Sequence, residues 1–144
     1  MSTTTRLEEL KHDLAQGAGG ERAKPDPPVR RWQRARAAQL TGIGACSDAV
    51  LGFFDWETKD YRKIPITEQV EVVSLLGDIA LGADASRRLH LHVVVSRDDG
   101  IAMGGHLMEA HVRPTLEVVL TESPRHLHKR KDAESGLALI VAEE

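Results

Sequence analysis

Residues 88–101 constrain this chain more than any other stretch. From Arg88 to Ser96 the side chains alternate, with Leu89, Leu91, Val93 and Val95 on one side and His90, His92 and Val94 on the other. A period of two is the signature of a strand with one face turned to a core. Arg97-Asp98-Asp99-Gly100-Ile101 follows, and Asp-Asp-Gly suits a three-residue hairpin loop, a type I turn closed by a left-handed glycine. With Arg97 opposite Ile101, His92 faces His106 across the hairpin, their Cβ atoms about 4.5–5.5 Å apart. His90 projects from the same face, about 6.6 Å along the strand from His92. Three imidazoles therefore gather with no tertiary assumption beyond one hairpin.

The chain from Leu40 onward has the same texture of short β-type runs between turn signals. Ser47 to Asp55 reads as a strand, Trp56 to Asp60 as a turn, and Tyr61 to Ile64 as the returning strand. Gln69 to Leu81 is one long strand or two broken near Gly77. Ile101 to Glu109, Thr115 to Thr121 and Leu137 to Val141 complete the set, and Thr41-Gly42-Ile43-Gly44 reads as a glycine-punctuated turn. The front is different. Residues 1–12 suit a short helix, and Gly17 to Pro28 is rich in the two residues that break regular structure. The expected division is a flexible or degenerate segment over 1–36 and a mostly antiparallel β domain over 37–144, with one or two helices at most.

Composition narrows the function. At 144 residues there is room for a single domain. No apolar run approaches the roughly 20 residues needed to cross a bilayer, and Met1 to Leu14 lacks a secretory core, so a cytoplasmic location and no membrane partner are expected. A single cysteine, Cys46, excludes an internal disulfide framework. Residues 1–39 carry eight basic against five acidic side chains, and residues 40–144 carry eleven against seventeen. The clusters Arg30–Arg36 and Arg125–Lys131 could touch DNA, but the net charge of −3 argues against a dedicated binder.

Histidine is then the most informative residue type. Neutral imidazoles are good ligands for Zn²⁺ or a similar divalent ion, so His90, His92 and His106 form a candidate metal site, with water or substrate completing a tetrahedron. The bland alternative is a solvent-facing strand that happens to be rich in histidine. Gly104 and Gly105, lacking Cβ atoms, would let the backbone bulge and re-aim His106. Glu109 is a candidate acceptor behind a ligand or a general base, although regular alternation puts it on the face opposite His106. His111 falls outside the pairing and reads as surface. His126 and His128 lie among four cations that disfavour another positive ion. Cys46 reads as small and buried, Phe53, Phe54 and Trp56 as core or subunit interface, and Gly42 and Gly44 lack the rest of a dinucleotide fingerprint.

Several of these segments together resemble the PPC (plant and prokaryote conserved) domain. They are Leu40-Thr-Gly-Ile-Gly-Ala, Leu51-Gly-Phe-Phe-Asp55, Glu71-Val-Val-Ser-Leu-Leu-Gly-Asp-Ile-Ala80, Leu89-His-Leu-His-Val-Val-Val95, Gly104-Gly-His-Leu-Met-Glu109 and Thr115-Leu-Glu-Val-Val-Leu-Thr121. They keep the family's order over about residues 37–141. The resemblance implies an α/β fold of the α+β type, a largely antiparallel sheet with helix packed on it, and a homotrimer. It also implies a bound metal at His90, His92 and His106, as in bacterial and archaeal members. Plant relatives add Arg-Gly-Arg-Pro hooks for the minor groove, and this chain has none. Members open with a strand and an amphipathic helix, which the Gly/Pro-rich residues 15–30 could not supply in full.

Two functions fit. One is a non-enzymatic PPC-type module for assembly and ligand binding, with a divalent metal, zinc by preference, and a regulatory or DNA-associated role. The other is a metal-dependent hydrolase or lyase on the same three histidines, where the ion would lower the pKa of bound water toward about 7. The module is favoured, because no acid or base can be placed on the metal's own face.

Overall fold

The computed structural model describes residues 37–122 and 128–141. The expected helix over 1–12, the flexible segment before 37, the Arg30–Arg36 cluster and His126 lie outside the described residues. Within them the chain forms seven strands and no helix: β1 (Ala38–Asp55), β2 (Asp60–Ile66), β3 (Val70–Leu81), β4 (Arg87–Ser96), β5 (Ala102–Glu122), β6 (His128–Lys131) and β7 (Ala138–Val141). The helical layer expected against the sheet is therefore not seen among the described residues, and the sheet buries its apolar face another way.

It does so by closing on itself. The strand order is β2-β1-β5-β4-β3-β6-β7, and β1 pairs with β3 as well. Strands β1, β5, β4 and β3 thus form a hydrogen-bonded ring, all antiparallel, with β2 and the β6–β7 hairpin as arms. A ring this small needs strong coiling, which register shifts supply. The β1–β3 ladder shifts between Gly42 and Gly44, and the β1–β5 ladder shifts between Gly44 and Cys46, Cys46 and Asp48, and Val50 and Leu51.

Two expected boundaries fall at these irregularities. Thr41–Gly44 is not a turn but the interior of an 18-residue strand. Its glycines are there for closeness: a Cβ on Gly44 would collide with the Thr115 carbonyl, and one on Gly42 would meet the Glu117 carbonyl at 3.0 Å. Ile101–Glu109 and Thr115–Thr121 are likewise one strand, β5, of 21 residues. The β1–β5 ladder passes from Cys46↔Val112 to Gly44↔Leu116, and Pro114, which has no N–H to give, occupies the skipped stretch.

The inside of the ring is aliphatic. Leu51, Leu75, Ile79, Val70 and Val95 are fully buried, with Leu40, Val72, Leu91, Val93 and Leu107 packed among them. Each such side chain contributes about 1.5–3 kcal/mol relative to exposure. The free space left among Cys46, Ala49, Val72, Leu75 and Val93 is about 10 Å³, at most one water. That space among the described residues is too small for a ligand larger than water.

Aspartates cap the turns that join the strands. The Asp55 carboxylate accepts from the N–H groups of Glu57 and Thr58, Asp84 from Ser86, Asp99 from Ile101 and Asp132 from Ser135. In the β4–β5 hairpin, Arg97 N–H donates to the Ile101 carbonyl and Gly100 N–H to the Arg97 carbonyl, both at 3.0 Å. Gly100 has φ +81°, the left-handed value the loop requires.

Candidate metal centre

That turn fixes the register at the site. The ladder pairs Ser96 with Ala102, Val94 with Gly104, Val93 with Gly105 and His92 with His106. Leu91, Val93 and Val95 are buried while His92 and Val94 are exposed, so the histidines stand on the outside of the ring. His106 continues the row to Gly52 on β1, and His92 continues it to Leu76 on β3. The ring centroids of His90, His92 and His106 lie 5.0, 5.2 and 5.5 Å from one another. One donor nitrogen from each ring falls within 4.8 Å of the others. A tetrahedral zinc with bonds near 2.05 Å asks for nitrogens about 3.3 Å apart, so binding would draw the three rings closer together. The sequence and the structure agree on this cluster.

The donors suit a cation. Burial, and to a lesser degree the neighbouring His90, lowers the pKa of His92 and favours the neutral ring that can ligate. Tyr61 of β2 stacks on His106 with centroids 4.8 Å apart, and Phe54 and Trp56 extend an edge-to-face aromatic chain away from it. Gly52 makes the room for this, since a Cβ there would come within 2.8 Å of the Tyr61 ring and 3.1 Å of Met108 Sδ.

On the other side of the cluster lies Asp78 of β3, paired in register with His90. Its Oδ2 is 3.6 Å from His90 Nδ1, and its Oδ1 is 2.6 Å from Lys129 Nζ of β6. Burial opposes ionisation of Asp78, but His90 and Lys129 together outweigh it and hold the carboxyl below its ordinary pKa. Lys129 is itself buried, with 3% of its side chain exposed. Sequence reasoning missed Tyr61, Asp78 and Lys129. A signal existed for Asp78, the lone charge inside Leu75–Leu81.

Other expectations are corrected. Gly104 and Gly105 run through a regular ladder and do not bulge. Gly105 serves close approach instead, a Cβ there meeting the Gly52 carbonyl at 2.9 Å. The bulge falls at Met108, between the pairs Leu51↔Leu107 and Val50↔Glu109. Leu107 and Ala110 are both buried, so the bulge brings Glu109 to the outer surface, on the cluster's side after all. Glu109 is not among the groups whose donor atoms converge. His111 is half-exposed and 2.5 Å from Asp48, away from the cluster. His128 opens β6, so part of the run read as a solvated basic patch is a strand. Cys46 is buried as expected, and Phe53 and Trp56, read as core or subunit interface, are more than half exposed in the single chain and so are not core.

The model of the Plants and Prokaryotes Conserved (PCC) domain matches residues 29–124. This chain belongs to that family. A plant- and prokaryote-conserved (PPC) protein of Pyrococcus horikoshii is 32% identical with a TM-score of 0.69, the match covering 76% of each chain. A metal-containing protein of Archaeoglobus fulgidus is 27% identical with a TM-score of 0.74 over 98% of this chain and 89% of that one. A candidate DNA-binding protein of Bacteroides thetaiotaomicron is 30% identical with a TM-score of 0.71 over 76% of each chain. A search of curated proteins returned no match. No helix among the described residues is long and apolar enough to cross a membrane.

Proposed function

We propose that this PPC-family chain is a non-enzymatic assembly and ligand-binding module that holds a divalent metal, zinc by preference, through His90, His92 and His106. The observation that carries this reading is the convergence of three imidazole nitrogens on the outer face of the strand ring. Three nitrogen donors leave one tetrahedral position open, and the Lewis acidity of the ion would there serve an incoming ligand. That a relative from Archaeoglobus is a metal-containing protein supports reading the cluster as a metal site.

Assembly as a homotrimer belongs to the same proposal. Leu76 and Val94 flank His92 on the outer face and are 52% and 39% exposed. Apolar side chains beside the cluster are what a subunit contact would cover. A DNA-associated role rests on the Bacteroides relative.

Metal analysis of tag-free protein tests the reading. Wild type reconstituted with zinc is expected to retain about one ion per chain, and His92→Ala to retain none. No metal in the reconstituted wild type would overturn it. Sedimentation velocity tests assembly separately, a monomer at micromolar concentration being the contrary result.

A further inference from the structure

The proposed centre has three ligands, but the structure surrounds one of them with a device of its own. His90 is the ligand farthest from the β4–β5 turn, where no β5 residue pairs with it. On its other side it faces Asp78 of β3, whose Oδ2 lies 3.6 Å from Nδ1. Asp78 is in turn held by a lysine from the last hairpin of the described chain, and that lysine is almost completely enclosed.

An enclosed ammonium is costly unless paired, so Lys129 cannot occupy its place without the Asp78 carboxylate. Conversely, β6 touches β3 through one ladder pair, Leu81↔His128, so the ion pair is a principal anchor of the β6–β7 hairpin. The carboxylate faces Nδ1 of His90, and a ring that gives Nδ1–H to a carboxylate presents Nε2 for ligation. The two oxygens divide the work: Oδ1 meets the lysine and Oδ2 the imidazole.

We propose that Asp78 is the positioning residue for His90, fixing its tautomer and ring direction, and that Lys129 pins Asp78, making the β6–β7 hairpin part of the metal centre. This rests on the three-histidine reading above and adds to it a residue that touches no metal. At 3.6 Å the Asp78–His90 contact is longer than a hydrogen bond, and ligation of His90 Nε2 is expected to draw the pair together.

The test titrates Zn²⁺ against a chromogenic chelator and records the visible spectrum of the Co²⁺-loaded protein. Asp78→Asn is expected to weaken zinc binding about 10- to 100-fold and to shift the Co²⁺ bands. Lys129→Met, which keeps the carboxylate but removes its pin, is expected to weaken binding several-fold in the same direction. Because Asp78→Asn strands a buried ammonium, Asp78→Leu with Lys129→Met removes both charges and serves as the folded control. Circular dichroism is expected to show the double variant folded, with zinc binding as weak as in Asp78→Asn. A folded double variant that binds zinc and gives the Co²⁺ spectrum of wild type would overturn the role of Asp78. Wild-type binding by Lys129→Met would overturn that of the lysine. Failure of the three-histidine reading looks different, since wild type itself would then bind neither ion.

Discussion

Cys46 shows how one side chain's surroundings set its chemistry. Burial, helped by the nearby charge of Asp48, pushes its thiol from 9.0 to about 11. The thiol stays protonated in the folded state where the unfolded chain ionises, so stability is full below pH 9 and declines between pH 9 and about 11. Chemical denaturation at pH 8 and pH 10.5 is expected to show a larger loss for wild type than for Cys46→Ala, and iodoacetamide to react only after unfolding. Asp48 gives the opposite sign. The hydrogen bond from His111 outweighs desolvation and lowers its pKa from 3.8, so its contribution is present above pH 3.8 and fades as pH falls through the folded value. Asp48→Asn is expected to flatten the acid limb of the stability curve below pH 4, as followed by urea midpoints. Burial of Cys46 was legible because the sequence offers it no partner base. Burial of Lys129 was not, because its partner lies 51 positions away, on a strand that pairs with β6 at a single point.

Among the elements, the β4–β5 hairpin was the most legible, since its register follows from a local rule about Asp-Asp-Gly. Gly100→Ala forces a Cβ into φ +81° with open space around it, so the expected cost is about 1 kcal/mol and the three-histidine cluster survives. Gly77→Ala is a sharper change. Its Cβ would strike the His90 carbonyl, where β3 and β4 lie close, and β4 would have to move at a proposed ligand. The expected outcome is a loss of about 1–3 kcal/mol in thermal or urea unfolding, with weaker zinc retention than in Gly100→Ala. The long strands were harder to read than the hairpin. Gly42 and Gly44 look like a turn because glycine has two uses, and only the position of β5 reveals that close approach is the one at work. Regular alternation put Glu109 on the wrong face because a bulge at Met108 reverses the alternation, and a bulge leaves little trace in a sequence.

For the whole molecule, a metal bound only by the folded chain stabilises it by mass action. Zinc at one hundred times its dissociation constant adds about 2.7 kcal/mol, so the melting temperature is expected to rise with zinc, fall with a chelator, and respond to neither in His92→Ala. The outer face adds a prediction about size: if the proposed trimer forms, Leu76→Asp is expected to lower the sedimentation coefficient to that of a monomer while circular dichroism stays β-type. The alternation of β4 and β5 announced one apolar face, but not that the sheet would curl over that face, which depends on register shifts spread over β1. That closure also sorts the molecule by how readily it opens. The stretches of the ring laddered on both sides, such as His92–Ser96 of β4 and the middle of β1, are expected to exchange their amide protons with deuterium last and together. Those of β2 and of the β6–β7 hairpin, each attached along one side only, are expected to go first.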